Sequence, residues 1–225
     1  MITLFTYAWV PDFAAPLMRA LRVRWALEEA QRPYAVQQVA LGAEQRSPQH
    51  LARQPFGQAP AIQDGDLLLH ESGAIVLHIA ADCEALLPGA GNARARAVAW
   101  MFSALNSVET SVQELGGIDF FHADAAWARE RRPQVEADVR NRLGFLSRAL
   151  GDQPYLEGTF TAGDLMMADV LRILDHTRLL EEFPALKDYK HRCEARPAFQ
   201  RALRAQLDGF NANAPAARKS AGTSS

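Results

Sequence analysis

Two stretches carry residue types at spacings that could do chemistry. Residues 54–61 read Gln-Pro-Phe-Gly-Gln-Ala-Pro-Ala, and residues 71–75 read Glu-Ser-Gly-Ala-Ile. Pro60 forces Ala59 out of the helical region into an extended conformation. With a cis Ala59–Pro60 bond, as at many tight turns, the Ala59 N–H and C=O would both face outward. An exposed extended residue can pair with a peptide as an added strand does. Ser72 falls where a strand ends and a helix begins, so its hydroxyl and the first helix amides together offer a carboxylate site. A backbone-pairing loop beside such a helix end suits a short peptide ligand. Each stretch also has a plainer reading, since prolines punctuate turns and Ser is a common helix cap.

The flanking patterns define the elements that must hold these residues. Residues 2–7 and 34–41 are short, rich in β-branched and aromatic types, and read as strands. Between them Pro16 suits the first turn of a helix, with Leu17, Leu21 and Trp25 at helical spacing. Residues 42–53 are polar and read as a short helix or loop. Residues 61–62 and 67–69 flank Asp64-Gly65-Asp66, a hairpin signal. Ser72 then opens a helix with Ile75, Val76 and Ile79 on one face. The order is βαβ then ββα, which argues for a small α/β domain with a mixed sheet.

Residues 85–93 (ALLPGAGNA) form a Pro/Gly-rich break. The GAG within it neither follows a strand nor completes a phosphate-loop fingerprint. Everything after it reads as helix. Val98, Met101, Leu105, Val108, Val112 and Leu115 form one buried stripe; Val135, Val139, Leu143, Leu146 and Leu150 form a second. Met166, Met167, Val170, Leu171 and Leu174 form a third, read as core rather than as a cofactor box. Pro184 and Pro197 sit near the starts of two shorter helices. Thr161 and Asp164 have the spacing of a capping box and are assigned to folding, not catalysis.

Composition excludes several classes. Hydrophobic residues are 48% and charged residues 22% of the 225, so a packed globular protein is expected and wholesale disorder is excluded. A formal net charge of -2 is no footprint for a nucleic-acid binder. No apolar run is long enough to span a bilayer. The two cysteines, Cys83 and Cys193, lie far apart and form no CxxC, so they read as small buried hydrophobes in a reducing compartment. The six histidines show no i,i+4 pair and no HExxH, so no metal site is expected.

Taken in order, the segment 54–80, the helix Arg22-Val23-Arg24-Trp25-Ala26-Leu27-Glu28-Glu29-Ala30 and the Thr161-Ala162-Gly163-Asp164 box resemble the cytosolic glutathione transferase superfamily. The resemblance is to bacterial-type members, and the glutathione-binding stretch is most similar to phi and theta-like classes. It implies an α/β plus all-α fold: a thioredoxin-like glutathione-binding domain over 1–81, a linker over 82–92, an all-helical domain over 93–210, and a flexible tail over 211–225. It further implies that Ala59, before a cis Pro60, holds the cysteinyl backbone of glutathione. Glu71 and Ser72 would hold the γ-glutamyl end, and Gln58 would contact the peptide through its amide. Gln45 and Arg46 would meet the glycine carboxylate, although two solvated polar residues are an equal reading. Glutathione would be a substrate, with no metal. The partners implied are a small electrophile and a second copy of the chain in a homodimer, in the cytoplasm, without nucleic acid or membrane.

Conjugation needs a thiolate. An ordinary thiol has a pKa of about 8.5, and each unit of depression requires about 1.36 kcal/mol of preference for the anion. One hydrogen bond to a charged sulfur, worth about 1.5–3 kcal/mol, supplies one to two units. The family takes that donor from a Tyr, Ser or Cys just after the first strand. Residues 7–16 here read YAWVPDFAAP, with no Ser and no Cys. Tyr7 is the one hydroxyl and the first candidate, and the Trp9 indole N–H is the lesser one. Packing of Tyr7 in the core, with backbone amides polarising the thiol, is the alternative. For the second substrate, Asn106 and Glu109 lie off the apolar stripe, where solvent or a dimer contact is the other reading. The functions left open are conjugation to apolar electrophiles, a glutathione-dependent lyase, isomerase or peroxidase, and non-catalytic binding of glutathione or apolar ligands.

Overall fold

The structure, a computed structural model, describes residues 1–215. In chain order the elements are β1 (Ile2–Tyr7), α1 (Ala20–Glu29), β2 (Tyr34–Val39), α2 (Pro48–Leu51), β3 (Ala61–Asp64), β4 (Leu67–His70) and α3 (Ser72–Ala80). Then come α4 (Gly91–Phe102), α5 (Glu109–Phe121), α6 (Ala126–Leu150), α7 (Ala162–Arg172), α8 (Pro184–Glu194) and α9 (Pro197–Ala212). They form two compact units, one of Met1–Ile79 with the chain from Pro197 onward, the other of Ala80–Arg196. The first is thioredoxin-like and the second all-helical, as the sequence implies.

The sheet of the first unit runs β2-β1-β3-β4, with β1 and β2 parallel and the other pairs antiparallel. β1 is buried along nearly its whole length, on both alternations of its side chains, as a central strand must be. Three local readings shift. Pro16 lies in a separate 3-10 turn, Ala15–Leu17, because Met18 is extended (ψ 130°) and breaks the helical path before α1. β2 stops at Val39, two residues short of the expected 41. In the hairpin Asp64 pairs with Leu67, so the two-residue turn is Gly65-Asp66, with Gly65 at φ +59°.

α9 belongs with this unit by packing. Trp25 of α1 meets Phe199 of α9 edge-on at 4.8 Å, and Arg201 Nε reaches Glu28 at 2.7 Å. The Gln206 amide donates to the Ala15 carbonyl at 2.8 Å, and Phe210 packs with Tyr7, Val10 and Ala15. An amphipathic stripe says that a helix is covered, not what covers it, so the sequence grouped residues 197–210 with the preceding helices. α9 also takes in 211 and 212, which the sequence placed in a flexible tail; residues 216–225 of that segment lie outside the described ones.

In the second unit α4 and α5 are one continuous rod interrupted by a π turn, Ser103–Val108. The wider i→i+5 turn carries one extra residue. Ala104 rather than Leu105 is therefore fully buried, and Glu109 is drawn into burial beside Val108. α7 is buried at every residue. Its start is fixed by the capping box: Thr161 Oγ1 accepts from the Gly163 N–H at 3.2 Å, and Asp164 Oδ2 accepts from the Thr161 N–H at 2.8 Å. Asp164 also accepts from the Leu156 N–H at 2.9 Å and the Tyr189 hydroxyl at 3.0 Å. Burial raises its carboxyl above the ordinary range, and these donors pull the other way. Gly163 allows the helices to approach, since a Cβ there would lie 2.6 Å from Trp100 Cβ.

Thr161→Ala, which removes one cap acceptor, costs about 1 kcal/mol. Asp164→Ala strands several buried donors at once and costs on the order of 3–5 kcal/mol. Urea unfolding of the two variants checks the ranking, and equal losses would contradict the assignment of Asp164 as the hub.

Candidate functional site

The strand register assembles the site. Phe5 pairs with Ala61, and Ala61 pairs with His70. Going antiparallel from those pairs, Tyr7 of β1 lies beyond the pairing on the side of Ala59-Pro60, and Glu71-Ser72 follows His70 at the same end. β2 runs parallel to β1, with Val39 opposite Tyr7, so the chain leading to Gln45 leaves from that end too. Residues 7, 45, 59 and 72 are thus neighbours by pairing, although far apart in sequence.

The loop before β3 is held by two buried polar side chains. Gln54 Oε1 accepts from the N–H groups of Phe56 at 2.7 Å and Gln58 at 3.2 Å. The Gln58 carbonyl meets His50 Nε2 at 2.8 Å. A carbonyl can only accept, so that ring nitrogen carries the proton. Gly57 stands at φ +62°, a left-handed conformation that favours glycine. The Ala59–Pro60 bond is cis, as the turn reading expects. Pro60 is buried and the Gln58 side chain is exposed. The Ala59 carbonyl has no partner among the described residues, whereas its N–H faces the Tyr7 hydroxyl.

Tyr7 is buried, at 9% exposure, and its oxygen also accepts from Gln45 Nε2 at 3.3 Å. The Gly42 N–H donates to Gln45 Oε1 at 3.3 Å, which fixes the amide with its nitrogen toward Tyr7. Burial raises the Tyr7 phenol above its ordinary value, and the Ala59 N–H only partly offsets this. The hydroxyl therefore stays protonated at neutral pH. With Gln45 donating to its oxygen, the phenol is set to donate its own proton. Trp9 is half-buried and its indole N–H is buried without a partner among the described residues.

At the other side of the hairpin, Ser72 is the first residue of α3 and is buried, with Glu71 before it at φ +68°. A glutamate held in the left-handed region is strained by about 1–3 kcal/mol, a conformation found where surrounding structure over-determines it. The guanidinium of Arg22, itself buried, donates to Ser72 Oγ at 3.3 Å. A helix N-terminus, a hydroxyl and a buried cation meet there, which is chemistry for a carboxylate.

Not every candidate joins this group through a side-chain contact. Arg46 is exposed in the 3-10 turn Glu44–Arg46. Asn106 and Glu109 belong to the second unit: Asn106 is exposed on the π turn, and Glu109 is buried with its carboxylate accepting from the Gln113 amide at 3.1 Å. Burial pushes the Cys193 thiol far up, so it is inert, as its reading as a small hydrophobe implies, whereas Cys83, read the same way, is only half-buried. Among the described residues no cluster of His, Cys, Asp and Glu could hold a metal. Sequence reasoning missed Arg22, His50, Gln54 and Gln206. Arg22 stood in a quoted motif, and its place between the buried Leu21 and Val23 was the signal that could have found it.

Both units are similar to known proteins. Residues 13–81 match the Glutathione S-transferase, N-terminal domain family, and residues 113–205 match the Glutathione S-transferase, C-terminal domain family. Glutathione S-transferase 1 of Zea mays is 52% identical over 60 residues, which is 26% of this chain and 28% of that protein. Disulfide-bond oxidoreductase YfcG of Escherichia coli (strain K12) is 27% identical over 206 residues, covering 87% of this chain and 95% of that protein. A glutathione transferase family member from Pseudomonas fluorescens pf-5, solved with two glutathione bound, superposes with a TM-score of 0.78 at 25% identity, covering 90% of this chain and 92% of that one.

The raised Tyr7 phenol gives a direct expectation. The difference in tyrosinate absorbance between the wild type and Tyr7→Phe stays flat up to the ordinary phenol pKa of about 10 and rises only above it. Ionisation of Tyr7 near pH 9 would show that the donors around its oxygen outweigh its burial.

Proposed function

Because the chain belongs to the cytosolic glutathione transferase superfamily, we propose that it binds glutathione at the converging strand ends and delivers the thiolate to small, mostly apolar electrophiles. Ser72, Glu71 and Arg22 hold the γ-glutamyl end: the hydroxyl and α3 amides take the carboxylate, Arg22 supplies the positive field, and Glu71 meets the ammonium. The Ala59 carbonyl takes the cysteinyl N–H. Gln58 contacts the peptide through its amide. Arg46 and Gln45 lie toward the glycine carboxylate, with Gln45 also bonded to Tyr7.

Tyr7 donates its proton in a hydrogen bond to the sulfur and favours the anion, and the unpartnered Trp9 N–H is a second donor of the same kind. The observation that carries this reading is the buried Tyr7 hydroxyl, a phenol that keeps its proton, with its oxygen already accepting from Gln45. Asn106 and Glu109 are carried with it as second-substrate residues. On the same premise the protein works as a cytoplasmic homodimer.

A second reading is favoured by the near full-length likeness to a disulfide-bond oxidoreductase. Two glutathione molecules and one disulfide would give glutathione disulfide and two thiols. Residues 7–16 contain no cysteine, so the glutathione sulfur itself would be the attacking nucleophile. Both reactions begin from the same stabilised thiolate and differ in the acceptor.

Calorimetric titration with glutathione tests the binding claim. Ser72→Ala, which loses one hydrogen bond to a charged group worth about 1.5–3 kcal/mol, should bind about 10- to 100-fold more weakly while losing only about 1 kcal/mol of folding stability with the long Arg22 hydrogen bond. A wild type that binds no glutathione would overturn the reading. Incubation with an aryl halide and with a small disulfide then separates the two reactions, by formation of the thioether or of glutathione disulfide.

A further inference from the structure

Gln45 is half-buried between exposed neighbours, in the 3-10 turn that follows β2. Both ends of its amide are bonded. Oε1 accepts from the Gly42 N–H at 3.3 Å, and Nε2 donates to the Tyr7 hydroxyl oxygen at 3.3 Å. The main chain around it is tied as well. The Gln45 N–H donates to the Ala40 carbonyl at 3.2 Å, and the Ala40 N–H donates to Glu44 Oε2 at 2.8 Å. Gly42 presents its N–H from the left-handed region, at φ +93°, which glycine takes without strain.

The direction of the amide decides what Tyr7 can do. A glutamine side chain has a donor end and an acceptor end of nearly the same shape. With the nitrogen toward Tyr7, the hydroxyl oxygen is the acceptor, and its own hydrogen must leave in another direction. Turned over, the amide oxygen would take that hydrogen and compete for it. The Gly42 N–H bonds only the oxygen end, so it holds the amide the first way round. A donor on a hydroxyl oxygen also polarises the O–H and strengthens the bond it gives onward.

We propose that Gln45 is a positioning residue for Tyr7: held by the Gly42 N–H, its amide donates to the phenol oxygen and leaves the phenol hydrogen free for a sulfur acceptor. This differs from contact with the glycine carboxylate, the role that the resemblance gives residue 45. The Gly42–Gln45–Tyr7 chain stands on geometry, and its effect on a thiol rests on the glutathione reading above.

The first test needs no ligand. The side-chain amide protons of Gln45, identified by their loss in Gln45→Met, should shift in the nitrogen–proton NMR spectrum when Tyr7 is replaced in Tyr7→Phe. Unmoved signals would show that the amide does not bond the hydroxyl and would overturn the proposal.

The second test reads the thiol pKa of bound glutathione, by thiolate absorbance, in the wild type, Gln45→Met, Tyr7→Phe and the double variant. Methionine keeps the length of the side chain and removes the donor. Gln45→Met should raise the thiol pKa by about 0.5–1 unit, the worth of one ordinary hydrogen bond. In the Tyr7→Phe background the same change should move it by less than about 0.3 unit, because both residues act through one hydroxyl. A thiol pKa unchanged by Gln45→Met, or raised equally in both backgrounds, would overturn the proposal. If the wild type binds no glutathione, the functional reading fails, while the amide shifts still decide whether Gln45 holds Tyr7.

Discussion

The pairing of β3 between β1 and β4 is the constraint on which the rest of the site depends. Phe5, Ala61 and His70 lie side by side across three strands, and that single register fixes what stands at the end of the sheet. A slip of one residue would send alternate side chains to the opposite face. It would also part Tyr7 from Ala59 and Ala59 from the start of α3. The hydroxyl, the extended residue before a proline and the helix N-terminus are separate local features. The sheet makes them one site.

Buried polar groups then refine what the register places. Arg22 beneath Ser72, His50 and Gln54 beneath residues 56–58, and Gln206 against the loop after β1 each bond a specific backbone or hydroxyl group. A buried polar side chain without a partner costs about 1–3 kcal/mol, so each holds its target as firmly as it is held. The loop that carries Tyr7 and Trp9 is backed by α9 through Phe210 and Gln206, which ties the candidate chemistry to the last described helix of the chain. In the second unit Asp164 plays the corresponding structural part, gathering the donors of residues 156, 161 and 189 at the start of a fully buried helix.

Much of this was legible from residue types. Pro60, Ser72 and the Thr161/Asp164 box are local chemistry: Pro60 follows a cis bond, Ser72 opens α3, and Thr161 with Asp164 caps α7. The strands of the first unit and its helices up to residue 80 follow from period-2 and period-3.6 patterns to within about four residues. What was not legible has physical causes. A stripe alternating three and four residues fits an α-helix and an α-helix with a π turn equally well, so Leu105 was read as buried and Glu109 as lying off the stripe. Arginine and histidine read as surface residues in any pattern, which hid Arg22 and His50. α9 showed its apolar face but not its partner. Gln45 was legible as polar and exposed enough to meet a ligand, yet its amide lies on Tyr7, a contact that only the register explains.

The central claim is that Tyr7, a buried phenol whose oxygen accepts from Gln45, lends its proton to a bound sulfur. It is tested most directly by titrating the thiolate absorbance of glutathione bound to the wild type and to Tyr7→Phe. The account predicts a thiol pKa below the free value of about 8.5 in the wild type, by one to two units, returning toward that value in the variant. An equally depressed pKa in both proteins, or an undepressed one in both despite tight binding, would contradict it.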